Sequence, residues 1–314
     1  MEQLANKIRE KALEYGFSNC GIISVDKMEG FKKLYRKRIF KAPTSWLVYR
    51  TLKLSQTRKR FPWAKSVIVC TYWLGKFKFP KELQGKYAKA FILSQNNEKI
   101  NKDYKEREKF EKWLEENGIR YEGGDKLGHG SIGSLRYAAV TAGLGIIRKN
   151  NFFYDERGSY VELVAYVIDK ECELIHKNNL KKCSPKCDLC QKACQTKALK
   201  APNTMEPLKC ISFWTTFGKG AVPPNLKKEM FREWICGCDD CQDVCPFNRR
   251  HNWEVGEDLE GLAELSSNLM AEKIKDASDE FLINNVASLT DNHILAKDVS
   301  TLRKNAKRAL SYKK

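Results

Sequence analysis

Cys183-Ser184-Pro185-Lys186-Cys187-Asp188-Leu189-Cys190-Gln191-Lys192-Ala193-Cys194 places four thiols in twelve residues. A second run follows: Cys238-Asp239-Asp240-Cys241-Gln242-Asp243-Val244-Cys245-Pro246. Cys210 stands between the runs and Cys236 just ahead of the second, so nine thiols lie between Cys183 and Cys245. Thiols at this density serve disulfides, zinc or iron–sulfur clusters. The order C-x2-C-x2-C-x3-C-P gives three thiolates to one four-iron cluster and the fourth to a neighbouring cluster. The first run reads C-x3-C-x2-C-x3-C and the second C-x2-C-x3-C-P. The first departs by one extra residue, within Ser184-Pro185-Lys186, and by Gln195 where proline is usual. Neither change removes a ligand. The x3 step and Pro246 are features a zinc ribbon does not need, and zinc is the competing reading. Disulfides are the weakest, because no export signal opens the chain. Two clusters use eight thiolates, which leaves Cys236 as the spare.

Working outward, the 314 residues allow one large domain or two to three small ones. No apolar run reaches membrane-spanning length, and Met1-Glu2-Gln3 opens an amphipathic helix, so a soluble cytoplasmic protein is expected, acting as a monomer. Net charge is +18. It is uneven: from Gly30 to Lys81 there are fifteen Lys or Arg and no acid. The C-terminal stretch is also basic, with Arg303, Lys304, Lys307, Arg308, Lys313 and Lys314. Such a field attracts nucleic acid, phosphorylated cofactors or an acidic donor protein, or is a solvated basic face.

Upstream of the cysteines, residues 1–17 show apolar positions at helical spacing, then Gly16 as a stop. Cys20 to Val25 and Ser66 to Trp73 read as buried strands, with Cys20 and Cys70 as packing residues. Met28 to Phe40 reads as a basic helix capped by Ser24 or Asp26. Asn96 to Asn117 reads as a long charged helix with Tyr104, Phe110, Trp113 and Leu114 inward. Ile119 to Glu122 and Tyr160 to Ile168 are further strands. Gly123 to Gly133 is a glycine-rich loop, and Ser134 caps a helix from Leu135 to Ala142. Helix and strand alternate over the first 170 residues, and the fold class is α+β: an N-terminal α/β domain (1–175), a ferredoxin-like double-cluster domain (176–255) and a helical C-terminal tail (256–314).

With both cysteine runs, Cys210-Ile211-Ser212 and Gly237 to Asn248 in view, the chain resembles the epoxyqueuosine reductase family. Ala142-Gly143-Leu144-Gly145 with Lys149-Asn150, Ser66 to Val69 and, more weakly, Leu302-Arg303-Lys304-Asn305-Ala306 carry further resemblance. It implies an N-terminal cobalamin-binding-type domain, two 4Fe-4S clusters, and reduction of epoxyqueuosine in tRNA to queuosine. It is also similar to the reductive dehalogenases. Carried over by position, Cys183, Cys187, Cys190 and Cys245 would hold one cluster, and Cys194, Cys210, Cys238 and Cys241 the other. Cofactor contacts would fall on Arg136, Gly143, Gly145 and Asn150. Where the family has an acidic proton donor this chain has His129, with Asp125 the nearest acid. Imidazole can donate a proton near neutral pH. No Asp-x-His-x-x-Gly signature is present, so a histidine-ligated cobalamin is not indicated.

The resemblance implies a ferredoxin or flavodoxin as electron donor and tRNA docked through the basic surface. Two other functions stay open at this level: a ferredoxin-like electron carrier with no catalytic site, and a cobalamin-dependent reductase of a small molecule.

Overall fold

The computed structural model describes residues 2–51, 53–124, 132–200 and 202–312. The helices are α1 (Glu2–Glu14), α2 (Phe31–Lys41), α3 (Ser45–Thr51), α4 (Thr57–Arg60), α5 (Lys89–Ile92), α6 (Asp103–Glu116) and α7 (Leu135–Thr141). They continue with α8 (Leu189–Ala193), α9 (Ile211–Thr215), α10 (Asp240–Asp243), α11 (Leu262–Ser266), α12 (Ala271–Ile274), α13 (Asp279–Asn285) and α14 (Ser300–Leu310). The strands are β1 (Asn19–Ser24), β2 (Ser66–Trp73), β3 (Tyr121–Gly123), β4 (Ile146–Ile147), β5 (Phe153–Tyr154) and β6 (Val161–Ile168). No helix among the described residues is long and apolar enough to cross a membrane.

Two compact units emerge, and they do not follow the three consecutive segments read from sequence. The first comprises 1–73, 103–187 and 202–204; the second comprises 74–102, 188–201 and 205–314. The segment 74–102 joins the cysteine-rich unit through backbone pairing the sequence does not announce. Tyr87 bridges Cys236 and Phe77 bridges Glu257, both in parallel.

In the first unit four strands form a sheet in the order β1-β2-β6-β3, antiparallel at every pairing. This makes the unit α+β in the strict sense; the wound α/β arrangement suggested by the helix–strand alternation is absent. The period of two divides the central strand β2. Val67 and Val69 pack on one face with Ala138 and Ala139 of α7 and its C-cap residue Ala142. On β6, Tyr166 turns to Phe110 of α6, 5.6 Å between rings, and Phe110 meets Phe17 at 5.7 Å. Helices therefore cover both faces, which is why β2 is buried along nearly its whole length and Val67-Ile68-Val69 does not alternate with polar residues. Each buried Val or Ile contributes about 1.5–3 kcal/mol, so Val69→Asp, which strands a carboxylate there, would break the unit. Cys20 and Cys70 sit opposite each other in register, both fully buried and both free thiols.

Most element readings hold, with shifted ends. Gly16 stops α1 at φ +86°. Ser24 Oγ accepts the Asp26 N–H, but it caps a 3-10 turn, Val25–Gly30, that precedes α2. Ser134 is the N-cap residue of α7 without a side-chain cap bond. The long charged helix begins at Asp103 and not at Asn96. Asn97 donates to the carbonyls of Ile92 and Leu289, and Asn101 to those of Leu93 and Ser94. Asparagine amides that serve remote carbonyls hold their own backbone out of a helix.

Apart from α14, the helices of the second unit are short. Buried side-chain amides satisfy much of its backbone. On α14, Asn305 donates to the carbonyls of Thr215 and Ile235, and Arg308 to that of Trp234.

Candidate cluster-binding site

The thiols divide between the units. Cys183 and Cys187 lie in the first; Cys190, Cys194, Cys210, Cys238, Cys241 and Cys245 lie in the second. None is in a disulfide.

In the second unit, α8 carries Cys190 and packs against α10, which carries Cys241. Cys210 is the residue from which α9 springs. Burial pushes the Cys241 thiol far up, and Cys210, Cys194, Asp239 and Cys190 push it further. Burial raises Cys238 as well, followed by Asp240, Cys241 and Cys210. The Cys210 thiol is also raised by burial, with the N–H groups of Phe213 and Ser212 opposing and Cys194 adding. The four thiols read from sequence as one ligand set, Cys194, Cys210, Cys238 and Cys241, thus lie close enough to feel one another. Cys194 Sγ accepts the Ala198 N–H at 3.2 Å. These half-buried sulfurs repel one another, and although no three metal-ligating side chains among the described residues converge on a single-ion site, a multi-iron cluster would take them as thiolates and spread their charge.

Two lysines anchor the cysteine loops. Lys89 Nζ is buried and reaches Asp239 at 3.4 Å and Asp243 at 2.9 Å, while its backbone N–H donates to Asp239. Burial alone would lower the Lys89 ammonium; the two carboxylates overcome it and raise the pKa. Burial pushes the Asp239 carboxyl up, with Lys89 opposing. In the first unit, Lys149 Nζ donates to the carbonyls of Ser184, Pro185 and Cys187 at 2.8, 2.8 and 2.6 Å. These are the carbonyls of the loop with the extra residue. Asn203 N–H in turn donates to the Lys149 carbonyl.

Cys236 is fully buried, and burial raises its thiol strongly with no neighbouring thiol contributing. It stands apart from the group, as a spare would. Gly237 links it to Cys238 at φ +84°, where a Cβ would come within 2.3 Å of Ala88 Cβ.

The residues read as cofactor contacts are engaged by the protein itself. A Cβ on Gly143 would meet the His176 carbonyl oxygen at 1.8 Å, and one on Gly145 the Tyr154 oxygen at 2.2 Å. These glycines admit neighbouring backbone. Asn150 donates to the Tyr154 hydroxyl at 2.7 Å, and Arg136 donates to the Asn151 carbonyl. His129 and Asp125 lie outside the described residues.

Sequence reasoning missed Lys89 and the anchoring roles of Lys149, Asn305 and Arg308. Lys149 lies in the Lys149-Asn150 pair and Asn305 in the Leu302 to Ala306 echo that carried the resemblance, whereas Lys89 had no signal, because a lysine in a lysine-rich chain does not stand out.

Residues 182–248 match the 4Fe-4S double cluster binding domain family. An epoxyqueuosine reductase of Cyclobacterium marinum is 41% identical over 117 residues, 36% of this chain and 36% of that one. The Escherichia coli epoxyqueuosine reductase is 26% identical over 90% of this chain and 75% of its own length. The Vibrio cholerae epoxyqueuosine reductase is 28% identical over 79% and 68%. In structure, the epoxyqueuosine reductase of Streptococcus thermophilus aligns with TM-score 0.71 at 22% identity, over 97% of this chain and 80% of that one. An epoxyqueuosine reductase crystallised with an epoxyqueuosine-modified tRNA-Tyr stem loop aligns with TM-score 0.66 at 20% identity, over 98% and 81%. The fold is shared throughout, and the chain carries a double 4Fe-4S cluster domain.

Proposed function

We propose that this chain belongs to the epoxyqueuosine reductase family and reduces the epoxide of epoxyqueuosine in tRNA to the alkene of queuosine. The observation that carries this reading is the reach of the similarity. It extends over 90% of the chain, far past the cysteine runs. A plain electron carrier needs only the cluster domain; here the antiparallel sheet unit is shared as well.

Removing an epoxide oxygen consumes two electrons and two protons and releases water. The eight thiols Cys183, Cys187, Cys190, Cys245, Cys194, Cys210, Cys238 and Cys241 hold the two clusters through which a ferredoxin or flavodoxin delivers the electrons. Cobalamin, which the family resemblance implies, would supply low-valent cobalt able to attack carbon. Arg136, Gly143, Gly145 and Asn150 are committed to protein contacts, so they do not fit as its holders. His129 is the proposed proton donor to the departing oxygen, with Asp125 the alternative.

The test is anaerobic incubation with reduced ferredoxin and an epoxyqueuosine-bearing stem loop, with and without cobalamin. The expected product is lighter by one oxygen, about eight iron atoms accompany each chain, and His129→Ala loses turnover while keeping iron. Full iron content with no loss of oxygen under any supplementation refutes the reading.

A further inference from the structure

The outer face of α2 and α3, we propose, is an RNA-docking surface; the proposal rests on tRNA being the substrate. The inner face of α2 is accounted for: Phe31 packs with Leu54, and Tyr35, Ile39 and Tyr137 close over them. The outer face is basic. Lys33, Arg36, Lys37 and Lys41 are exposed along it, spaced three and four apart. None of these four has a carboxylate partner among the described residues. Phe40 lies among them with 89% of its surface exposed, and on α3 Trp46 is 44% exposed. Arg50 lies over the Trp46 ring at 5.8 Å.

Two features speak for a ligand. Like charges three and four apart on a helix repel and weaken it. No acid between Gly30 and Lys81 offsets that repulsion, and a polyanion would. An aromatic ring left in water amid cations is the pairing that nucleic-acid surfaces use: ammonium groups follow phosphates and rings stack on bases. An acidic protein would meet the charge but has less use for the bare Phe40 ring.

The surface is also fixed to the segment that leads into α7. Thr57 Oγ1 of α4 donates to the Ile132 carbonyl at 2.6 Å, and Phe31 meets Tyr137 at 5.7 Å between rings. Residues 132–137 directly follow the stretch holding the proposed acid His129.

The experiment is fluorescence anisotropy with an unmodified tRNA transcript at several salt concentrations, on anaerobic holoprotein. The variants are K33E/K37E/K41E, the milder K33Q/K37Q/K41Q, and F40A. Each ammonium–phosphate pair removed lowers the log–log salt slope by about 0.7–0.9. The glutamine triple is expected to lose about two units of slope and at least about tenfold in affinity at ~100 mM salt, the glutamate triple more. F40A should bind about tenfold more weakly with an unchanged slope, because stacking carries no counterion. Iron content and circular dichroism check that each variant is folded. Wild-type binding with unaltered variants overturns the docking surface and leaves the proposed function standing. A wild type that binds no tRNA at any salt refutes the tRNA reading and the surface with it. Variants that keep tRNA but lose reduction by ferredoxin assign the face to an acidic donor and overturn the proposal.

Discussion

Replacing Lys149 with methionine removes an ammonium and keeps most of the stem. In the wild type that ammonium spends all three donors on the carbonyls of Ser184, Pro185 and Cys187. Two of the bonds are exposed and one is partly buried. Counting about 0.5 kcal/mol for each exposed bond and about 1–1.5 kcal/mol for the sheltered one gives ~2 kcal/mol. Each 1.4 kcal/mol is about tenfold, so the ligand loop should open about 30-fold more often. The consequence is local. Cys183 and Cys187 sit on that loop, whereas the thiols gathered around Cys241 are held by other bonds. Anaerobic challenge with a ferrous chelator, followed by loss of cluster absorbance, should therefore turn biphasic, with half the iron leaving about 30-fold faster and the rest at the wild-type rate. Loss of the cation should also lower the midpoint potential of the faster cluster, since a nearby positive charge favours the more negative reduced state. A single uniform rate, whether wild-type or faster, refutes the reasoning: the first means the loop does not need Lys149, the second that the whole fold was loosened.

Cys236→Ala should keep about eight iron atoms per chain, whereas Cys241→Ala should lose about half or more; iron assay on anaerobic protein decides. Lys89→Met leaves Asp239 buried and unpaired and should cost about 3–5 kcal/mol in urea unfolding, with part recovered in Lys89→Met/Asp239→Asn. Asn305→Ala strips two buried carbonyls of their donor and should cost about 2–3 kcal/mol, read as a lowered unfolding midpoint with the slope unchanged.

The part of the fold legible in the sequence is the part written in local periodicity. Ser66 to Trp73 is a strand residue for residue, because six strand formers among its eight residues leave little else. The cluster domain was legible from spacing alone, because thiolates around a cubane leave a fixed signature. What was not legible depends on contacts remote in sequence. The segment 74–102 belongs with the cysteines because Tyr87 pairs with Cys236 and Lys89 with Asp239. The hairpin of β4 and β5 is two residues a strand, too short to leave a pattern. Gly143 and Gly145 drew cofactor contacts by resemblance; close approach calls for glycine whether the visitor is a ligand or, as at these two positions, the protein's own backbone.

The excess of lysine hides three kinds of side chain, and what surrounds each ammonium separates them. Lys89 faces two carboxylates and the rings of Phe79 and Trp253, 5.6 and 5.4 Å away. Lys149 faces three carbonyls. Lys33, Lys37 and Lys41 face water. An amine must be both free and deprotonated to react with an acylating reagent, so the order of labelling is fixed by structure. Lys33, Lys37 and Lys41 should label early under brief treatment, Lys149 late, and Lys89 last, because burial shields it and its carboxylates raise its pKa. Added tRNA should then protect the first three and leave Lys149 and Lys89 as they were, with peptide mass spectrometry as the readout. Early labelling of Lys89 would mean that the buried pair behind the second cysteine run is not closed in solution. Protection of other lysines while the three on α2 stay reactive would move the RNA to another face.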